Sequence, residues 1–248
     1  MRYMRHRRTS YLALAIAIAL SLSACASSTA AGVGKTDGSS GASPAATTVP
    51  TAAEAYRLTQ KSGAAAKSVQ VVGDYTDQGQ KLQLDVSGDR AGQTMKLSVN
   101  FGTGVIEILK VNSDFYLKAD AAFWMRLNGS AQTAKMAAGK YVKVPAGSAA
   151  GMGDFRVGTL LDQVFAKDIP RADKLNPTVQ KTELDGVPAW LLTAKAGDNT
   201  KFYVSADGQA RLLRTQSTKN GTLTFTNWDS AATTTTPAAD QLAKTPTL

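Results

Sequence analysis

Apolar and polar residues alternate along much of the chain after residue 80. Leu82, Leu84 and Val86 alternate with polar neighbours, and the run 95–101 repeats the pattern. A period of two places the apolar side chains on one face of a strand, and sheets with one wet and one apolar face are typically antiparallel. We predict strands here and at 104–111 and 114–118, joined as a meander.

Short turn sequences separate the alternating runs. In the first half they lie at 77–79, 87–89 and 112–113, and in the second half they are Asp185-Gly186, Asp207-Gly208 and Asn220-Gly221. Such Asx-Gly pairs favour tight hairpins because these residues tolerate positive φ. The second half is therefore predicted to contain strands at 177–184, 189–195, 201–205, 210–217 and 222–228, preceded by a short strand at 141–144.

Three segments have the three- and four-residue spacing of helices. The segment 52–67 carries a stripe of small residues, and 121–127 is short, apolar and aromatic. The segment 154–167 carries a larger apolar stripe, with Asp154 as its predicted N-cap and Pro170 as its stop. Helices of this kind must cover the apolar face of a sheet.

Together these elements predict an α+β fold. About ten antiparallel strands form one curved sheet, because a sheet with so many strands tends to curl. We expect an unclosed half β-barrel with the helices on its concave face. This domain is predicted to span residues 51–230.

The two flanks of the domain differ from it in composition. Residues 25–50 are mostly Ser, Thr, Ala, Gly and Pro. Residues 231–248 are mostly Thr, Ala and Pro. Such segments bury too little apolar surface to offset chain entropy. We predict a disordered tether before the domain and a flexible tail after it.

The first 24 residues have the pattern of a lipoprotein signal peptide. Four arginines precede the apolar run 11–22, which is shorter than the roughly 20 residues of a spanning helix. The run ends in Leu22-Ser23-Ala24-Cys25, which resembles a bacterial lipobox. We expect cleavage before Cys25, a diacylglyceryl thioether and palmitate on that residue, and attachment to the outer face of the cytoplasmic membrane.

Removal of the signal peptide changes the chemistry available to the protein. His6 and Cys25 are the only histidine and cysteine, so the mature chain keeps no histidine and no free thiol. This excludes Ser-His-Asp and Cys-His sites, His-ligated zinc and disulfides. We predict no catalytic residue, metal or cofactor, and hence no enzyme.

The charge also points away from nucleic acid. The full chain carries +9, and loss of the four signal arginines leaves 24 basic minus 19 acidic residues, or +5. Only 7% of residues are aromatic, and no arginine cluster is interleaved with them. A modest positive charge outside the cell suits an anionic membrane or wall polymer better.

The chain resembles the LolA-like family of lipoprotein and lipid carriers, in particular its actinobacterial LppX/LprG-type branch. The resemblance lies in the lipobox, the helix from Ala52, the meander, and 114–118 followed by Phe123-Trp124 and by 140–145, and it covers about 51–228. It implies an unclosed barrel whose concave face often holds acyl chains. Some relatives use the same shell as a sensor or as a partner-binding module.

Two functions therefore remain open. The first is a holder or carrier of a lipid, glycolipid or other hydrophobic ligand, and the second is a module with a self-filled barrel that acts through a protein partner in the cell envelope. A lining for a ligand cavity is predicted at Leu82, Leu84, Val86, Met95, Leu97, Val99, Phe101, Ile106, Ile108, Phe115, Leu117, Phe123, Trp124, Val157, Leu161, Val164, Phe165, Trp190, Leu192, Val204 and Phe225. The same residues could instead pack together as a dry core.

Overall fold

A computed structural model describes residues 48–77, 79–128, 130–149, 156–195 and 199–244. The predicted signal peptide, the lipidation site at Cys25 and nearly all of the predicted tether lie outside the described residues. So does Asp154, the predicted helix cap. Among the described residues, no helix combines the length and the apolar character needed to cross a bilayer.

Besides one short π-helical and two 3-10 turns, the described elements are five α-helices and eleven strands. The helices are α1 (Ala52–Ala65), α2 (Ala121–Asn128), α3 (Ala131–Ala137), α4 (Ala146–Ala149) and α5 (Val157–Gln163). The strands are β1 (Ser68–Asp77), β2 (Gln80–Asp89), β3 (Thr94–Asn100), β4 (Val105–Val111), β5 (Asp114–Lys118), β6 (Tyr141–Lys143), β7 (Gln180–Leu184), β8 (Val187–Thr193), β9 (Lys201–Ser205), β10 (Leu212–Ser217) and β11 (Gly221–Thr226).

All eleven strands form one antiparallel sheet in the order β6-β5-β4-β3-β2-β1-β11-β10-β9-β8-β7. The strands β6 and β7 are the two ends of this order, so the sheet does not close. This confirms the predicted α+β fold with an unclosed half-barrel. The central strand β1 joins the two halves of the chain, since Val71 lies opposite both Val86 and Phe225.

The central strand β1 is absent from the ten predicted strands. Its alternation is obscured at two places, because Val72 is an exposed apolar residue on the outer face and Gly73 occupies an inner position. A Cβ at Gly73 would overlap the carbonyl oxygen of Thr222 on β11. The strand therefore carries a glycine where an apolar side chain would have identified it.

The turn predicted at 87–89 is wrong, since these residues continue β2. Gly88 lies opposite Val69 and Met95, and the chain turns only at 90–93. Asp89 shapes that turn by accepting hydrogen bonds from the backbone N–H groups of Gln93 and Thr94. These bonds outweigh the effect of partial burial, which raises the pKa of the Asp89 carboxyl, and hold it below its usual range.

Other predicted turns are confirmed. Asp185 and Gly186 have φ values of 51° and 83°, as a tight hairpin between β7 and β8 requires. Asn112, with φ of 55°, turns the chain between β4 and β5. These residues adopt the left-handed region at low cost, which is why their positions could be read from the sequence.

The first predicted helix is confirmed as α1. The side-chain oxygen of Thr51 accepts a hydrogen bond from the Glu54 N–H and so caps its start. The buried positions are Ala52, Ala55, Thr59 and Gly63, the small residues of the predicted stripe.

The helical segments of the middle region differ in detail from the prediction. The helix expected at 154–167 is described as α5 followed by a π-helical turn at Val164–Asp168. The helix expected at 121–127 is confirmed as α2, and α3 follows it although no helix was predicted there. Three of the seven residues of α3 are alanines and three are polar, so its apolar periodicity is weak, and α3 packs against α2.

The C-terminal segment contacts the end of the sheet at β6. Leu242 forms a parallel bridge with Tyr141, the Ala243 N–H donates to the Tyr141 carbonyl at 2.9 Å, and Lys140 Nζ donates to the Asp240 carbonyl at 2.6 Å. The composition of residues 231–248 does not indicate these contacts. They supply hydrogen-bond partners to an otherwise open edge strand.

Candidate functional site

The inner face of the sheet, which carries the helices, is built from aligned rows of apolar residues. One row runs Leu84, Val99 and Ile106 across β2, β3 and β4, where these residues are direct cross-strand partners. The next row places Leu97 beside Ile108 in the same way. Cross-strand neighbours on one face of a sheet lie about 5 Å apart, so these five residues form a continuous apolar surface.

These five residues are partly exposed, and we call them the inner groove. Two separate apolar clusters lie on the same face. One centres on Val71, Leu161 and Phe225, and Leu84 and Leu97 pack against it. The other centres on Trp124 and Val142, with Ile106 packed against it.

The first cluster is a densely packed core between the sheet and α5. Val157, Leu161 and Val164 are at most 1% exposed. The helix α1 also approaches closely, since a Cβ built on Gly63 would lie 2.5 Å from a ring carbon of Phe165. Side chains of the protein therefore fill this part of the inner face.

The second cluster holds the α2–α3 hairpin against β4, β5 and β6. Trp124 is fully buried and meets Phe123 edge to face, with ring centroids 5.3 Å apart. The hydroxyl of Ser130 caps α3 by accepting from the Thr133 N–H at 3.3 Å. The hairpin thus borders the inner groove, because Phe123 and Ile106 belong to the same cluster.

The predicted cavity residues divide into two classes of exposure. Twelve are buried: Leu82, Val86, Met95, Phe115, Trp124, Val157, Leu161, Val164, Trp190, Leu192, Val204 and Phe225. The rest are partly exposed: Leu84, Leu97, Val99, Phe101, Ile106, Ile108, Leu117, Phe123 and Phe165. The buried class consists of core residues, whereas the partly exposed class includes all of the inner groove; contact of either class with a ligand stays a prediction.

Lys110 lies on the inner face but is not among the predicted cavity residues. It follows Ile106 and Ile108 at the next inner position of β4 and is only 7% exposed. Its Nζ lies 5.4 Å from the centroid of the Phe115 ring, a cation–π contact. A lysine in register with an alternating apolar run was the signal that could have identified it.

Two pockets formed by described residues lie away from the inner groove. One, of about 350 Å³, opens beside the end of α1 and is lined by Lys61, Arg211, Trp228 and Asp229 among others. The other holds about 10 Å³, close to the space of a single water. The larger pocket mixes apolar residues such as Leu58 and Trp228 with these charged side chains, and none of the inner-groove residues lines either pocket.

On the outer face, a polar network links β4, β5 and β6. Glu107 accepts hydrogen bonds from Lys118 Nζ at 3.0 Å and from the Tyr141 hydroxyl at 2.9 Å. Burial raises the pKa of Glu107, but these two bonds outweigh it and hold the pKa below its usual range. Burial and the bond to Glu107 raise the pKa of Tyr141, so its hydroxyl stays protonated and serves as a donor.

The described residues form no evident metal site. They contain no group of three or more His, Cys, Asp or Glu side chains placed to hold a metal ion. The ion pairs of Lys143 with Asp114 and Arg211 with Asp229 lie at the surface, at 2.8 and 2.7 Å. What the fold and its inner face define is an open half-barrel with an apolar groove.

The fold is similar to that of a solved mycobacterial protein. LprF from Mycobacterium bovis aligns with a TM-score of 0.50 and 18% identity, over 76% of this chain and 97% of that chain. The Mycobacterium tuberculosis lipoprotein LppX aligns with a TM-score of 0.43 and 14% identity, over 72% and 94%. No family model and no curated protein matches the sequence. The similarity to LprF agrees with the half-barrel that the sequence resemblance implies.

Proposed function

We propose that this protein is a membrane-anchored extracytoplasmic lipoprotein that holds a lipid or another hydrophobic ligand on its inner groove without acting as an enzyme. The observation that supports it most is the aligned, partly exposed row Leu84, Val99 and Ile106 on the face that carries the helices. The anchor at Cys25 belongs to the same proposal and rests on the lipobox pattern.

The groove suits a chain of methylenes better than a polar ligand. It spans three strands, roughly 10 Å at the usual strand spacing, and its five side chains carry no polar atom. Each methylene removed from water contributes about 0.8 kcal/mol. A short length of acyl chain therefore gains enough to offset part of the ordering cost of binding.

A second candidate is a module with a self-filled barrel that acts through an envelope protein. The closely packed cluster of Val157, Leu161 and Val164 favours this candidate, because it fills the inner face beneath α5. The two candidates make different predictions for the groove. A ligand holder needs the groove open to an acyl chain, whereas a self-filled module needs it only for packing.

A substitution pair separates them. The protein, purified from membranes of the bacterium that makes it, is extracted with solvent, and the extract is analysed by mass spectrometry. Val99→Glu places a charge in the groove, and Val72→Glu makes the same change on the outer face, where Val72 is 41% exposed. We expect an amphiphile at near-stoichiometric amount in the wild type and in Val72→Glu, and its loss in Val99→Glu.

Thermal unfolding of the three proteins controls for misfolding. Both valines are at least partly exposed, so the melting curves should remain cooperative. Absence of bound amphiphile from the wild type, or its retention by Val99→Glu, would contradict the ligand-holding proposal and leave the self-filled module as the better reading.

A further inference from the structure

The outward surface of the α2–α3 hairpin is unusually apolar. Of the seven large apolar side chains that are clearly exposed among the described residues, three lie on these two short helices: Met125 at 41%, Leu127 at 44% and Met136 at 42% exposed. The inward side of the same hairpin packs against the sheet through the buried Trp124 and Ala134. The exposed side chains are therefore not needed for packing within the chain.

The same hairpin is basic. Residues 121–140 contain Arg126, Lys135 and Lys140 and no acidic residue. Arg126 and Lys135 are exposed, whereas Lys140 already donates to the Asp240 carbonyl. The acidic residue just before the hairpin, Asp120, is engaged as a cap, accepting from the Phe123 N–H at 2.7 Å.

We propose that the α2–α3 surface docks onto an anionic phospholipid bilayer. Helices that bind in the plane of a membrane combine exposed apolar side chains with Lys and Arg, whose long stems let the charge reach the headgroups. Each basic residue near an anionic surface contributes about 1 kcal/mol, equivalent to about fivefold in binding constant. Charge complementarity thus selects a membrane with anionic lipids over a zwitterionic one.

Docking of this surface would orient the groove. Phe123 of the hairpin and Ile106 of the groove share one apolar cluster, so a docked hairpin holds one end of the groove near the lipid surface, with the hairpin between the two. This inference rests on the membrane attachment in the proposed function, while it does not require a ligand in the groove. A bilayer contact at this place gives a hydrophobic ligand a short path between membrane and protein.

A fluorescence experiment on the lipidated full-length chain tests the docking. Met136→Cys carries a polarity-sensitive fluorophore, and Val187→Cys, which is similarly exposed on β8, carries it as the control position. The labelled proteins are reconstituted into vesicles of phosphatidylcholine alone or mixed with phosphatidylglycerol, each with a lipid-borne quencher. We expect quenching at residue 136 but not at residue 187, and only in the anionic vesicles.

Charge reversal supplies the matched variants. Arg126→Glu with Lys135→Glu should weaken docking about 25-fold or more, from about fivefold for each lost cation. Lys81→Glu with Lys201→Glu changes two exposed lysines elsewhere by the same total charge and should leave the quenching unchanged. High salt should also reduce the quenching, since the Debye length falls from about 10 Å at 0.1 M to about 3 Å at 1 M.

The outcomes separate this inference from the ligand-holding proposal. Equal quenching at residues 136 and 187, or quenching that is insensitive to the Arg126 and Lys135 reversals, would overturn the docking. Should Met136→Cys disturb α3, the label moves to Met125 with the same expectations. Solvent extraction of the same samples reports on the groove: Val99→Glu should lose the amphiphile yet keep the lipid-dependent quenching.

Discussion

Three buried tryptophans provide an internally controlled test of the interior. Trp124, Trp190 and Trp228 are 0%, 3% and 7% exposed. The indole N–H of Trp228 donates to the Leu212 carbonyl at 3.0 Å. Those of Trp124 and Trp190 are buried and have no acceptor among the described residues. The same substitution to Phe should consequently have different costs at the three positions.

The size of the difference follows from the hydrogen bonds. Each Trp→Phe change removes roughly 40 Å³ of side chain, which costs about 1 kcal/mol if the space does not collapse. Trp228→Phe also leaves the Leu212 carbonyl without its donor, for a further cost of about 1–3 kcal/mol. Trp124→Phe and Trp190→Phe instead remove an unpaired buried donor, and the free energy gained by removing it offsets the cost of the smaller side chain. We expect those two variants to be near neutral and Trp228→Phe to be destabilised by about 2–4 kcal/mol.

Urea denaturation followed by circular dichroism measures these free energies of unfolding. The midpoint of Trp228→Phe should fall while those of the other two variants stay close to the wild type, and the slopes should stay nearly constant, because the changes barely alter the surface exposed on unfolding. Equal destabilisation at all three positions would refute the reasoning. It would mean that the N–H groups of Trp124 and Trp190 are satisfied, for example by buried water.

Three further changes test other parts of the fold. The carboxyl of Glu107 has a lowered pKa, so it stabilises the fold above its unfolded pKa and loses that effect as the pH falls. Glu107→Gln should therefore lose less stability than the wild type between about pH 5 and pH 3. Measuring the free energy of unfolding across this pH range checks it. Gly63→Ala should destabilise by about 1–2 kcal/mol through overlap with Phe165, and Phe165→Leu should relieve it in a double-mutant cycle of urea midpoints. Leu242→Asp should speed amide hydrogen exchange at Tyr141, whereas exchange in β1 should not change.

The strand pattern was the most predictable feature, for a local reason. Alternation reports which face a residue occupies, and Asx-Gly pairs report where the backbone takes positive φ, so β2 to β5 and the hairpin at Asp185-Gly186 could be read directly. Where a local rule gave the wrong answer, a contact from elsewhere in the chain was responsible. Gly88 resembles a turn residue, yet it pairs with Val69 and Met95 within β2, and the glycine is needed there because a Cβ would meet the Thr94 carbonyl oxygen at 2.5 Å.

Of the candidate site, the sequence indicated the set of apolar residues but not their division. Val99 and Val86 are the same residue type, and both lie at inner positions of their strands. Only the placement of α5 and of the α2–α3 hairpin decides that Val86 is buried and Val99 is partly exposed. Lys110 was missed because lysines in strands usually face water, and its inner position depends on the register of β4.

The sequence by itself determined the class of fold, the positions of most strands, the small-residue stripe of α1 and the expectation of a lipid anchor at Cys25. These are properties of nearest neighbours along the chain and of side-chain periodicity. The tertiary structure decided that β1 is the central strand, that the C-terminal segment covers the β6 edge, and that part of the inner face is buried while the groove residues stay partly exposed. Those outcomes depend on contacts between residues far apart in sequence, such as Val71 with Phe225 and Tyr141 with Leu242, and no local pattern encodes the distance between such partners.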